Sequence, residues 1–308
     1  MHIAPSFALL ARFDQLLGTL KLFIQGSRPK TLPAAIAPVA VASSLAYFDG
    51  VGNLYRAALC LLVAVGMQLG TNFVNDYADG KRGVDNEQRV GPTRLVGSGL
   101  ASAGLVKSMA LYSFGFACLA GIVLAFQVGP ELIVVGALSV LAGWAYTGGP
   151  NPYGYLGLGE IFVFIFFGLV ATMGTYYAQA ETLTVESLDL GVLMGCFAVA
   201  LLVTNNLRDI DTDKADGKNT LAVMLGDSKT RWLFVVTIGV AAIALLLLVF
   251  STLGWLVLGF AGFALLIKPI QFVFIKKAKG AALISVLEGT AKAQLATSAL
   301  MSLIWLIA

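Results

Sequence analysis

Two short stretches of this 308-residue chain carry side chains that could do chemistry. The first reads Asn72-Phe73-Val74-Asn75-Asp76-Tyr77-Ala78-Asp79. Spacing of i, i+3, i+4, i+7 puts Asn72, Asn75, Asp76 and Asp79 on one helix face. The second reads Asn205-Asn206-Leu207-Arg208-Asp209-Ile210-Asp211-Thr212-Asp213. There Asn205, Asn206, Asp209 and Asp213 share a face, and Asp211 points elsewhere. Hard oxygen ligands suit Mg2+, which bridges one or two carboxylates to substrate phosphates. Lys81, Arg82, Arg94, Arg208, Lys214 and Lys218 lie close by in sequence. Carboxylates for a metal and cations for outer phosphate oxygens together describe a metal–diphosphate clamp. A pair of solvated loops with balanced charge is the competing reading, and the repetition of the pattern argues against it. No glycine-rich Walker loop accompanies the clusters, so nucleotide hydrolysis is not indicated.

The rest of the chain must position these clusters in an apolar setting. Charged residues make up 12% of the sequence and apolar residues 58%, against about 25% charged in an average soluble domain. The expectation is an all-α integral membrane protein. Nine apolar segments approach the length of a span: about 31–47, 56–75, 104–126, 129–146, 159–179, 189–207, 231–250, 253–271 and 287–307. Residues 1–30 form a separate N-terminal segment, amphipathic over 8–25 and suited to the membrane interface. Residues 31–308 form the nine-helix domain. In a nine-span arrangement 18 of the 20 basic residues fall on one face. The positive-inside rule then makes that face, the N-terminus and the two Asp-rich loops cytoplasmic. The clusters follow the second and sixth segments, a spacing that suggests a repeated four-helix unit.

The one histidine, His2, rules out Ser-His-Asp triads and His-ligated zinc. Cys60, Cys118 and Cys196 sit in apolar runs without CxxC spacing and read as core residues. The net charge of +3 gives no reason to expect nucleic acid. A clamp at the mouth of an apolar bundle implies a lipid diphosphate whose tail runs between helices. Its chemistry would be ionisation of an allylic C–O bond, with the departing diphosphate stabilised electrostatically and the carbocation kept from water. Aromatic faces can shield such a cation, and Tyr146, at a helix end on the same face, is the leading candidate.

Asn-Asp-x-x-Asp after the second segment and Asp209-x-x-x-Asp213 after the sixth resemble the UbiA superfamily of intramembrane aromatic prenyltransferases. Ser27-Arg28-Pro29-Lys30, Gly91-Pro92-Thr93-Arg94, Pro152-Tyr153-Gly154-Tyr155-Leu156-Gly157-Leu158-Gly159-Glu160 and Gly217-Lys218-Asn219-Thr220 look like its 1,4-dihydroxy-2-naphthoate polyprenyltransferase branch. The resemblance implies Mg2+-dependent transfer of a polyprenyl chain from its diphosphate to that acceptor, with decarboxylation, toward menaquinone or phylloquinone. It implies a metal site at Asn75, Asp76, Asp79, Asp209 and Asp213. Arg28, Asn72, Lys81, Arg94, Tyr146, Asn206 and Lys218 are the expected substrate-binding residues. The expected setting is a bacterial cytoplasmic membrane or its equivalent.

The pattern departs from the superfamily twice. Gly83 stands where many members have a further Asp, and the next acid is Asp85. Residues 147–159 contain no basic residue, so contacts from that loop are not carried over. Other aromatic acceptors (4-hydroxybenzoate, homogentisate, a chlorophyllide) and an ion-coupled transporter remain alternatives.

Overall fold

The computed structural model describes residues 4–84, 91 and 93–308. His2, Pro92 and Asp85, the next acid after Gly83, lie outside them. Among the described residues every regular element is helical. The helices, in chain order, are α1 (Ala4–Ser27), α2 (Pro33–Phe48), α3 (Leu54–Arg82), α4 (Ala103–Gln127) and α5 (Glu131–Ala145). They continue as α6 (Gly159–Ala180), α7 (Val185–Arg208), α8 (Ile210–Ala215) and α9 (Leu221–Ser251). The last two are α10 (Gly254–Ile275) and α11 (Gly280–Ile307).

Seven of these, α3, α4, α6, α7, α9, α10 and α11, are long and apolar enough to cross a membrane. The other two expected spans are helical but short. Helix α2 has 16 residues and α5 has 15, about 24 and 22 Å at the rise of an α-helix. Among the described residues the protein is all-helical, and seven helices reach membrane-spanning length on their own.

Local chemistry fixes the ends that matter. The Asn53 side chain accepts the Arg56 N–H and opens α3. Gly83, at φ 72°, closes it in the left-handed conformation glycine adopts without steric cost. Lys81 and Arg82 lie in the last turn, where the helix dipole favours cations. The first motif is thus not in a loop but inside the final three turns of α3. The second is not a continuous face either, because the helix breaks at Asp209 (φ −98°, ψ 8°) and restarts as α8. Asp213 therefore reaches its position from a short second helix, while Asp211 is exposed.

Packing brings the two motif-bearing helices to one cavity. Helix α3 lies against α4 through Phe73, Val74, Val106, Met109, Ala110 and Phe114. Helix α7 lies against α9 through residues such as Phe197, Ala200, Phe234 and Ala241. A π-helical stretch, Phe164–Met173, lets α6 approach α7 closely at Gly168. A Cβ there would meet Gly195 Cα at 2.5 Å, the small-residue packing common between membrane helices.

Candidate active site

The last turns of α3, the α7–α8 break and the loop after α5 converge on a cavity of about 900 Å3. Its polar end contains Asn75, Asp79, Arg94, Asp209, Asp213 and Lys218, and the rest is largely apolar.

Asp79 is the centre of the polar end. It is 3% exposed. The Tyr155 hydroxyl donates to its Oδ1 at 2.5 Å. Lys218 Nζ lies 3.5 Å from its Oδ2, and Arg94 Nη2 lies 3.8 Å away. The same Lys218 Nζ is 3.8 Å from Asp213 Oδ1. One ammonium therefore spans carboxylates from the two motifs, which stand 134 positions apart in the chain. Asp209 is held by its neighbour Arg208, whose Nε and Nη2 donate at 2.7 and 2.6 Å. Asn75 Oδ1 accepts from the Thr147 hydroxyl at 2.6 Å. Burying acids at this density requires cationic or hydrogen-bonding partners, and these residues supply them.

Of the expected site residues, Arg28, Asn72, Asn75, Asp79, Arg94, Tyr146, Asn206, Asp209, Asp213 and Lys218 all line the cavity. Two are directed elsewhere. Lys81 is exposed, with Nζ 6.0 Å from the Tyr77 ring, because it sits on the outer side of the final α3 turn. Asp76 is 1% exposed and bonds backbone amides of the segment after α3. Two others face the cavity with their amides already engaged. Asn72 donates to the Ser27 carbonyl at 2.9 Å and to the Thr31 hydroxyl at 3.1 Å, bracketing Arg28. That arginine precedes Pro29 with φ 51°, a strained conformation for a non-glycine residue. Asn206 donates to the buried Glu160 carboxylate at 2.9 Å.

Three contributors lie outside the expected metal and substrate-binding residues, although Arg82 was among the cations noted beside the first cluster. Tyr155 touches Asp79, and Lys218 Nζ lies 4.8 Å from its ring centroid. Burial, and then the Asp79 charge, push the Tyr155 phenol above its ordinary value, so it stays a donor. Arg82 donates to the Thr147 carbonyl at 2.5 Å and to the Gly149 carbonyl. The loop after α5, which lacks a basic residue of its own, thus receives one from α3. Thr147 completes the link to Asn75. Their sequence signal was weak, since a tyrosine in a glycine-rich loop and an arginine at a helix end are both common.

Behind the polar end lies an aromatic run. Tyr146 and Tyr153 pack with centroids 5.5 Å apart, Tyr153 stacks on Phe162 at 4.1 Å, and Phe166 follows at 6.1 Å. All four line the cavity, next to the acidic end where a cationic intermediate would need shielding.

Residues 35–296 match the model of the UbiA prenyltransferase family. The chain belongs to this family. Similar proteins within it include the 1,4-dihydroxy-2-naphthoate octaprenyltransferase of Mycobacterium tuberculosis, 46% identical over 77% of this chain and 80% of its own. The enzyme of that name from Escherichia coli is 35% identical over 94% and 96%. Among solved structures, a UbiA homolog from Archaeoglobus fulgidus bound to DMAPP and Mg2+ superposes with a TM-score of 0.61. It covers 91% of this chain and 99% of its own at 13% identity, a likeness of fold. This UbiA family member keeps an acidic, cation-rich end joined to an aromatic-lined apolar cavity.

Among the described residues no three Asp, Glu, Cys or His side chains form a preassembled metal cluster. The donors nevertheless fit Mg2+. Asp79 and Asp213 supply hard oxygen donors that flank the same Lys218 ammonium, and Mg2+ takes only one or two protein carboxylates when phosphate completes its shell.

Proposed function

We propose that this protein transfers a polyprenyl chain from an allylic diphosphate to 1,4-dihydroxy-2-naphthoate, with loss of CO2, in menaquinone synthesis. The single observation that carries the site reading is Lys218 between Asp79 and Asp213, at the mouth of an apolar cavity. The substrate reading is supported by the names of the relatives. Membership of a prenyltransferase family favours group transfer over an ion-coupled carrier.

Asn75, Asp79, Asp209 and Asp213 would hold Mg2+, which supplies Lewis-acid stabilisation of the leaving diphosphate. Arg94 and Lys218 bind its outer oxygens, and Arg28 serves the diphosphate or the acceptor carboxylate. The allylic C–O bond breaks with its electron pair going to diphosphate. Tyr146, Tyr153 and Phe162 exclude water and present ring faces to the cation. The electron-rich acceptor attacks through the ring carbon bearing its carboxylate. The new C–C bond forms, and CO2 leaves with its bonding pair restoring the aromatic ring. No net proton is lost, so no strong base is needed, in keeping with a chain whose one histidine is His2.

The membrane reading is nine spans with a cytoplasmic N-terminus. Helices α2 and α5 complete the seven longer ones, and the motif ends face the cytoplasm. Helix α1 lies in the interface, with Leu16, Leu17, Leu20 and Ile24 exposed toward lipid. A panel of aromatic acceptors with one prenyl diphosphate tests the substrate assignment. Preferential decarboxylative prenylation of dihydroxynaphthoate is expected. Preference for 4-hydroxybenzoate or homogentisate would overturn it.

A further inference from the structure

The two polar rows at the end of α3 have different occupations. Asn75 and Asp79, four residues apart, face the cavity. Asn72 and Asp76, three positions back along the same helix, form a row rotated by about 60°, and this row grips other segments of the chain. At Asp76 the grip is complete. The Leu95 N–H donates to Oδ2 at 2.8 Å and the Val96 N–H to Oδ1 at 2.9 Å. A carboxylate taking two charge-assisted bonds from consecutive amides anchors a turn.

That turn begins at the residue that matters for substrate. The Arg94 carbonyl accepts from the Ser98 N–H at 3.1 Å and from its hydroxyl at 2.5 Å. The Leu95 side chain is fully buried against the α3–α4 core. Arg94 thus emerges from a turn fixed on both sides, is 8% exposed, and reaches Asp79 in the cavity.

We propose that Asp76 is a positioning residue rather than a metal ligand: by holding the Leu95 and Val96 amides it aims Arg94 at the substrate diphosphate. The proposal rests on the metal–diphosphate reading of the site. Asp76 then belongs to substrate binding through Arg94, and its loss leaves the metal ligands in place.

The full-length enzyme in membranes, with Asp76→Asn, Arg94→Ala, the double variant and Asp79→Asn, provides the test. Asp76→Asn is expected to raise the KM for prenyl diphosphate about tenfold while the Mg2+ concentration for half-maximal rate moves less than about twofold. Added to Arg94→Ala it should cost less than about twofold more, because both act through one group. A rise in Mg2+ requirement like that of Asp79→Asn, or multiplicative effects with Arg94→Ala, would overturn the proposal. Hydrogen exchange provides a readout independent of turnover. The Leu95 and Val96 amides should exchange slowly in the wild type and quickly in Asp76→Asn, with α3 unchanged. If that variant does not accumulate, wild-type exchange decides, and fast exchange at both amides overturns the anchor. Failure of the diphosphate reading looks different: Arg94→Ala and Asp79→Asn would then leave donor KM and Mg2+ requirement untouched.

Discussion

The Tyr155 hydroxyl donates to Asp79 Oδ1 at 2.5 Å, joining the loop after α5 to the acid at the end of α3. It leaves Oδ2 toward Lys218 and Arg94. Tyr155→Phe removes this bond and keeps the ring under Lys218. A hydrogen bond to a charged group is worth about 1.5–3 kcal/mol, so kcat/KM should fall by about 10- to 100-fold with the protein still folded. Because burial and Asp79 raise the phenol above 10, Tyr155 stays protonated as pH climbs through that value. The wild-type rate profile should therefore show no alkaline break from Tyr155 below pH 10.

Lys218 spans both motifs, so its loss should be felt as donor affinity. Lys218→Ala should raise the KM for prenyl diphosphate by about 10- to 100-fold, the scale of one charged contact. Steady-state kinetics with varied donor would measure it. An unchanged KM would remove Lys218 from the diphosphate site.

Arg82 serves the loop after α5 with two carbonyl contacts, a geometry suited to a guanidinium fork. Lysine presents a point charge and does not reproduce it. Arg82→Lys and Arg82→Ala should therefore lower kcat/KM alike, by about tenfold. Full rescue by lysine would mean that only the charge matters.

Gly168 and Gly195 carry the close approach of α6 to α7. Gly168→Val forces the helices apart, and overpacking costs about 1–3 kcal/mol. The variant should melt at lower temperature in detergent, by scanning fluorimetry or aggregation, whereas a change at the open position Gly174 should not.

Much of this arrangement was legible in the sequence because lipid imposes strong rules. Long apolar runs become helices since the backbone must satisfy itself, and each of the nine runs falls on a helix, seven of which reach spanning length among the described residues. Acids amid so few charges pointed to Asp79, Asp209 and Asp213. Helical periodicity alone could not divide the first motif. Asn72, Asn75, Asp76 and Asp79 share a broad face, yet only packing of residues 27–31 and 94–98 against α3 decides which atoms remain for substrate. Nor could periodicity foresee the break at Asp209, where a short helix redirects Asp213. Arg82 was visible only as a cation beside the first cluster and Tyr155 only as part of a glycine-rich stretch, because their partners come from tertiary proximity and carry no sequence spacing.

The central claim is that Asp79 and Asp213, brought together from two motifs, form one metal-dependent diphosphate site. Its most direct test is product formation by membranes carrying the wild type, Asp79→Asn or Asp213→Asn, given a polyprenyl diphosphate and dihydroxynaphthoate with Mg2+ or with EDTA. The prenylated, decarboxylated naphthalenediol should appear with the wild type and Mg2+. It should fall by about 100-fold or more in each variant and in EDTA, the scale of losing transition-state charge stabilisation. Equal product in EDTA, or wild-type turnover by either variant, would contradict it.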